Sequence, residues 1–345
     1  MLYQTEEVLI IAFGFAAAWM GAELIRRNAE KLRLVQTPNE RSSHTMPTPS
    51  GGGLGIAFAG TVCGLLIDTS LFWPILASVS AAVLGLLDDR FGLSARVRLI
   101  VHFALIAMVL ATVGPLPPLA TPLGSVPPVA LGALLLVAGV WWLNLYNFMD
   151  GIDGLAASQA IFLCAGAATL AHLGTIPAEL EAVSWWAFAV AAASAGFLVL
   201  NWPPARIFMG DAGSNFLAVA IFSISMSLVA QGYLELPVFV ILTALFVADA
   251  TTTLIGRLRS GNSGFTAHRL HVYQKLSRRL GQHKAATLIY LAINIAWLYP
   301  LAYLAREHSG ASWWFVALAY LPLVSFGFVA RAGLPEGQPQ FRNKA

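Results

Sequence analysis

The chain has 345 residues, 58% of them hydrophobic and only 11% charged, with a mean hydropathy of +0.72. Repeated apolar runs of about 18 residues or more exclude a soluble core and point to an all-α integral membrane protein with many spans. The formal charge of +3 is small, so what matters is where the charges lie.

In chain order the apolar runs predict eleven spans, at roughly 7–25, 52–67, 71–87, 99–114, 129–146, 155–173, 184–201, 213–231, 236–256, 284–305 and 312–330. The first is preceded by Glu6 and Glu7 and followed by Arg26 and Arg27, the reverse of a secretory signal, and reads as a retained anchor. The second and third are short and parted only by Asp68–Ser70, so a re-entrant pair is an alternative. No repeat, low-complexity tract or long linker interrupts the series, and 1–345 reads as one membrane domain. Cys63 and Cys164 fall in apolar spans, without a partner cysteine or metal-ligand spacing, and read as packing residues.

Starting from an outside N-terminus, alternation of the spans puts 19 of the 20 Lys and Arg residues on the cytoplasmic side and leaves only Arg306 outside. The positive-inside rule therefore fixes an external N-terminus and a cytoplasmic C-terminus. In a bacterium this is the inner membrane.

Five cytoplasmic loops carry the polar motifs, near 38–55, 88–98, 144–155, 206–214 and 257–284. Loop one holds Arg41, Ser42, Ser43 and His44, then Pro47 to Gly53; loop two Asp88-Asp89-Arg90 with Arg96 and Arg98. Loop three runs Asn144-Leu145-Tyr146-Asn147-Phe148-Met149-Asp150-Gly151-Ile152-Asp153-Gly154. Loop four is Arg206-Ile207-Phe208-Met209-Gly210-Asp211-Ala212-Gly213-Ser214, and loop five carries His268-Arg269-Leu270-His271. The outer loops offer nothing comparable.

Five carboxylates at the edges of apolar spans, in a chain with 17 in all, are a functional hypothesis, because each is costly beside a bilayer unless solvated, paired or metal-bound. Carboxylates with Asn and Gly-rich turns, and no Cys or His ligand set, suit a hard cation such as Mg²⁺ with Mn²⁺ as the alternative. Arginines beside them suit phosphate groups. Acid, metal and Arg at a membrane surface suggest phosphoryl transfer to a lipid.

The four acidic and Asn-containing motifs, in this order, resemble those of the polyprenyl-phosphate N-acetylhexosamine-1-phosphate transferases. These are relatives of the phospho-N-acetylmuramoyl-pentapeptide transferase and of the eukaryotic dolichol-phosphate GlcNAc-1-phosphate transferase. The likeness covers roughly 38 to 284, and the Ser42-Ser43-His44 and Pro47–Gly53 stretch looks most like the branch that starts O-antigen or other surface polysaccharides. The resemblance implies an eleven-helix bundle that exchanges a UDP-N-acetylhexosamine and undecaprenyl phosphate for a lipid-diphospho-sugar and UMP.

By motif, it implies Asp211 and Asn147 as Mg²⁺ contacts and Asp88, Asp89 and Asp211 as the catalytic acids. Phe208 would stack on uracil, Arg98 contact phosphate, and His268, Arg269 and His271 grip the diphosphate. Asn144, Asp150 and Asp153 would shape the nucleotide pocket, with Arg41 and His44 near substrate. The aspartate pair acts by lipid-phosphate deprotonation or by positioning; a one-step attack by the anionic lipid phosphate is favoured here. His-Arg-Leu-His in place of three consecutive histidines argues against a muramoyl-pentapeptide donor and leaves GlcNAc, QuiNAc or FucNAc. No nucleic acid is expected as a partner; a homodimer is compatible.

Other readings of the same residues stand beside these. Asp88-Asp89 also suits an interfacial cap, Asn144 and Asn147 a loop turn, Asp211 an N-cap, and Phe208 an aromatic belt. Likewise His44 suits an interfacial residue, and His268 and His271 solvated loop positions. His102 reads as a packed helix residue. Asp249, within the ninth span, reads either as half of a structural ion pair or as a cleft residue. A transporter or flippase of lipid-linked intermediates, or a lipid-binding scaffold, is the alternative function.

Overall fold

The computed structural model describes residues 2–37, 46–173, 181–261 and 269–335, and it is built almost wholly of helices. Nine described helices are long and apolar enough to cross a membrane. The pair α9 (Leu236–Leu242) and α10 (Ala244–Arg259), bent by 68° at Thr243, forms either a tenth, broken span or a re-entrant loop. The remaining expected span is α2 (Gly53–Ile67), with 15 residues. At 1.5 Å per residue it is about 22 Å long, short of the hydrocarbon thickness. The third expected span extends further than the sequence suggested, to a 23-residue stretch at Thr69–Phe91.

At the centre stands α8 (Asp211–Ala230), in which every residue from Ala212 to Val229 is buried. It packs against α2, α3 (Phe72–Phe91), α4 (Ala95–Thr112), α5 (Pro128–Phe148), α6 (Leu155–His172) and α7 (Glu181–Asn201). Small residues and serines along α8 permit close approach, and Trp142 of α5 donates its indole N–H to the Ala218 carbonyl at 2.9 Å. The outermost helices, α1 (Leu2–Leu32) and α14 (Ser312–Val329), show the opposite pattern. They expose Val8, Leu9, Met20, Leu321 and Val329, as side chains facing lipid should.

Two short hairpins complete the description. Val35–Gln36 pairs antiparallel with Thr48–Pro49 beside loop one, and Leu119–Thr121 with Gly124–Val126 at the far end of the bundle. Loop five leads into the short helix α11 (Val272–Leu280), followed by α12 (His283–Ile293) and α13 (Tyr299–Glu307), joined by a π-helical turn at Asn294–Leu298.

Candidate active site

The polar loops meet because loops one and four lie backbone against backbone. Phe208 N–H donates to the Pro49 carbonyl at 2.8 Å, while Gly52 and Gly53 N–H donate to the Phe208 and Met209 carbonyls at 2.9 Å each. A Cβ on Gly53 would come within 2.4 Å of the Gly213 Cα, so only glycine allows this approach. On the other side a Cβ on Gly85 would lie 2.3 Å from the Asp211 carbonyl oxygen, which is how α3 reaches the first turn of α8.

This packing delivers three helix ends to one place. Asp89, at the end of α3, accepts from the backbone N–H of Asp211 at 3.0 Å through Oδ2, so it caps the N-terminus of α8. Asn147, at the end of α5, donates Nδ2 to Asp211 Oδ1 at 2.9 Å and to Ser214 Oγ at 3.0 Å. Asp88 Oδ1 accepts from Leu93 N–H at 2.7 Å, and its Oδ2 pairs with Arg98 Nη1 at 2.8 Å. Asp89 therefore serves as a cap and Asp88 holds the turn between α3 and α4, while both stand beside Asp211 or Arg98 in the acidic cluster.

Loop three closes the cluster. Asp153 Oδ2 accepts from Ala205 N–H at 3.0 Å, and Oδ1 lies 3.1 Å from Nδ1 of His283. Gly154 N–H donates to Asn201 Oδ1 at 2.9 Å, and Asn201 Nδ2 donates to the Ile207 carbonyl, also at 2.9 Å. Asn201 thus ties loop three to loop four. Burial, with the negative charges of Asp211, Asp89 and Asp153 next in importance, holds the Asp150 carboxyl well above the usual carboxylate range.

Two expected site residues are directed elsewhere. Asn144 donates Nδ2 to the Val140 carbonyl at 2.7 Å and lies 3.3 Å from Nδ1 of His102, so its amide nitrogen faces α4 rather than Asp211. His102 is accordingly a hydrogen-bonded helix residue, as its place in the sequence suggested. His271, expected to grip phosphate, is buried with Nδ1 3.3 Å from Asp249 Oδ1. That contact commits the nitrogen to the fold and gives Asp249 a partner in loop five.

Arg269 Nε is buried without a hydrogen-bond partner among the described residues, and the Phe208 ring is half-buried at the junction of loops one and four. Arg41, His44 and His268 lie outside the described residues. His283 and Asn201 had no signal as site residues, because their partners are 130 and 47 positions away.

Among the described residues no group of three His, Cys, Asp or Glu side chains is arranged to hold a metal unaided. The donor set nonetheless fits Mg²⁺, which takes one or two carboxylates and completes its shell with water and substrate phosphates. Asp88, Asp89, Asp150, Asp153 and Asp211 outnumber the one guanidinium paired with them among the described residues, that of Arg98. Asp211 would supply the carboxylate. Asn147 now offers its amide nitrogen to Asp211, and would turn the amide over to present Oδ1.

Beside the acidic cluster an apolar cavity of about 200 Å³ opens between α5, α8, α9, α10 and α14, lined by Trp141, Leu145, Phe222, Phe239 and Tyr320 among others. Its wall on α5 runs from Leu145, two residues from Asn147, back to Leu135, a distance of about 15 Å along the helix. Thr243, at the bend between α9 and α10, also lines it.

A many-span helical membrane protein with an acidic centre at one end of its bundle, opening beside an apolar groove, is the class these features define. Residues 71–229, from the start of α3 through α8, match the model of glycosyl transferase family 4. The chain is 31% identical to the decaprenyl-phosphate N-acetylglucosaminephosphotransferase of Mycolicibacterium smegmatis, over 81% of this chain and 77% of that protein. It is 28% identical to the probable undecaprenyl-phosphate N-acetylglucosaminyl 1-phosphate transferase of Bacillus subtilis, over 79% and 77%. With the undecaprenyl-phosphate alpha-N-acetylglucosaminyl 1-phosphate transferase of Escherichia coli K12 it shares 28% identity over 88% and 85%. The chain belongs to glycosyl transferase family 4.

Proposed function

We propose that this protein transfers N-acetylhexosamine-1-phosphate from a UDP-sugar to undecaprenyl phosphate, on the cytoplasmic side of the inner membrane, and so starts a surface polysaccharide. The observation that carries the reading is the meeting of Asp89, Asn147 and Asp211 at three helix ends, with an apolar cavity whose wall on α5 begins at Leu145, two residues from Asn147. The donor is UDP-GlcNAc or a 6-deoxy relative such as UDP-QuiNAc or UDP-FucNAc.

An oxygen of the lipid phosphate attacks the sugar-linked phosphorus. The new P–O bond forms as the bond from that phosphorus to the oxygen bridging it to the uridine-linked phosphorus breaks, and UMP leaves with the bridging oxygen and the electron pair. Asp211 and Asn147 would hold Mg²⁺, which when bound neutralises charge on the diphosphate. Asp89 holds the N-terminus of α8, and with it Asp211, at a fixed position through the Asp211 N–H. Arg98, held by Asp88 at the mouth of the site, meets the incoming phosphate. The lipid phosphate is already anionic at neutral pH, so the step needs no covalent enzyme intermediate.

The test is UMP release by detergent-purified protein given undecaprenyl phosphate, Mg²⁺ and each UDP-sugar in turn. Release with one donor names the sugar. No release with any, from folded protein that binds the lipid, would favour a transporter or scaffold.

A further inference from the structure

The acidic centre is held from behind by a carboxylate it does not contain. Asp249 lies inside α10 and is only 5% exposed, yet both its oxygens are occupied. Oδ1 accepts from Val272 N–H at 2.9 Å and Thr253 Oγ1 at 3.2 Å, and lies 3.3 Å from His271 Nδ1. Oδ2 accepts from Tyr273 N–H at 3.0 Å and the Tyr290 hydroxyl at 2.7 Å. Asp249 is thus an N-terminal anchor for α11 supplied by another helix, where an anion meets the unpaired N–H groups and the positive end of the dipole.

From that anchor two paths lead to loop three. On the first, Tyr273 of α11 is fully buried and donates its hydroxyl to the Phe148 carbonyl at 2.9 Å. Its oxygen occupies the space a Cβ on Gly151 would need, at 2.1 Å, so loop three closes around it. On the second, α12 presents His283, Thr287 and Tyr290 at spacings of four and three, hence on one face. His283 Nδ1 accepts from the Asp153 backbone N–H at 3.4 Å and Thr287 Oγ1 donates to the Asp153 carbonyl at 2.9 Å, while Tyr290 binds Asp249.

We propose that Asp249 is a positioning residue for the acidic centre, acting through Tyr273 and α12 to fix loop three and the Asn147–Asp153 segment it carries. The assignment rests on the transferase reading for its kinetic consequence but not for its structural one. Neither Asp249 nor Tyr273 needs to touch substrate.

The experiment is a double-mutant cycle of Asp249→Asn and Tyr273→Phe on the full-length purified protein. Asn keeps one acceptor but sets an NH₂ group against the N–H and O–H donors that now meet Oδ2. Hydrogen exchange of residues 148–154 is read first, since it does not depend on activity. Both single variants should exchange faster there, and the double variant no faster than Asp249→Asn alone. In kinetics, Asp249→Asn should lower kcat by about tenfold and Tyr273→Phe by about threefold, with the KM for polyprenyl phosphate unchanged. In the Asp249→Asn background Tyr273→Phe should add little.

Unchanged exchange at 148–154 in Asp249→Asn, or effects of the two substitutions that multiply, would overturn the proposal. Lower thermal stability with wild-type kcat would reduce Asp249 to a fold residue. If Asp249→Asn does not fold, Tyr290→Phe, which removes one donor from Oδ2 on the second path, should itself speed exchange at 148–154, and unchanged exchange there would overturn the proposal. Should the wild type release no UMP, the transferase reading fails, while the exchange data still decide the role of Asp249.

Discussion

The two ends of the bundle use polar groups differently. At the acidic end, Asp88, Asp89, Asp150, Asp153 and Asp211 gather against Arg98 and His283, with glycines placed where backbones touch. At the far end the hairpin Leu119–Val126 exposes Leu123 almost completely, packs Leu119 and Val126 against the core, and receives an indole N–H from Trp313 at the Ala120 carbonyl, at 2.7 Å. The charged pair there, Arg306 with Glu307, joins adjacent residues. One end therefore gathers carboxylates in excess of the guanidinium paired with them, whereas at the other no such gathering is found among the described residues. The proposed reaction would answer that excess with a bound cation, so substitutions at the two ends should differ in effect.

The largest effect is expected at Asp211. Asp211→Asn should lower Mg²⁺-dependent UMP release by on the order of 10³-fold or more while the protein stays folded. Next comes the backbone seam: Gly53→Ala drives a Cβ toward Gly213 and the Met209 carbonyl, and should cost about 1–3 kcal/mol, seen as a lower melting temperature together with reduced kcat.

A smaller effect separates charge from shape. Because the Asp150 carboxyl is held well above its ordinary value, the folded state binds a proton that the unfolded chain has already lost. Stability measured in EDTA should therefore fall as pH rises from the usual carboxylate range through that raised value. Asp150→Asn should remove this part of the slope; an identical slope in the variant would contradict the assignment. The smallest effect belongs to the far end, where Trp313→Phe should leave UMP release within about twofold and cost about 1 kcal/mol or less.

Much of this contrast was legible in the chain itself. Apolar runs located the helices, and the spacing of Asp88-Asp89, Asn147, Asp150, Asp153 and Asp211 marked loops two to four, because a carboxylate at a bilayer edge needs a reason. The short α2, expected at 52–67 and found at Gly53–Ile67, was legible in extent, but the close approach of Gly53 to Gly213 was not. His283, Asn201 and Tyr273 carried no local pattern at all. Each acts through a contact far away in sequence, and a histidine at a helix start or a tyrosine in a basic helix looks ordinary until its partner is seen. His271 belongs with them: beside Arg269 it suggested phosphate, and its contact with Asp249, 22 positions away, was not visible in the sequence. The choice left open for Asp249 falls on the structural side, with a partner in loop five.

The central claim is that the acidic end performs a metal-dependent exchange of one phosphoanhydride for another, which runs near equilibrium and can be read backwards. Purified protein would be given labelled UMP, the lipid-diphospho-N-acetylhexosamine and Mg²⁺, and the formation of labelled UDP-sugar followed. The account predicts label in UDP-sugar with the wild type, none in EDTA and none with Asp211→Asn. Label that persists in EDTA or in Asp211→Asn, or no label from folded wild-type protein, would contradict it.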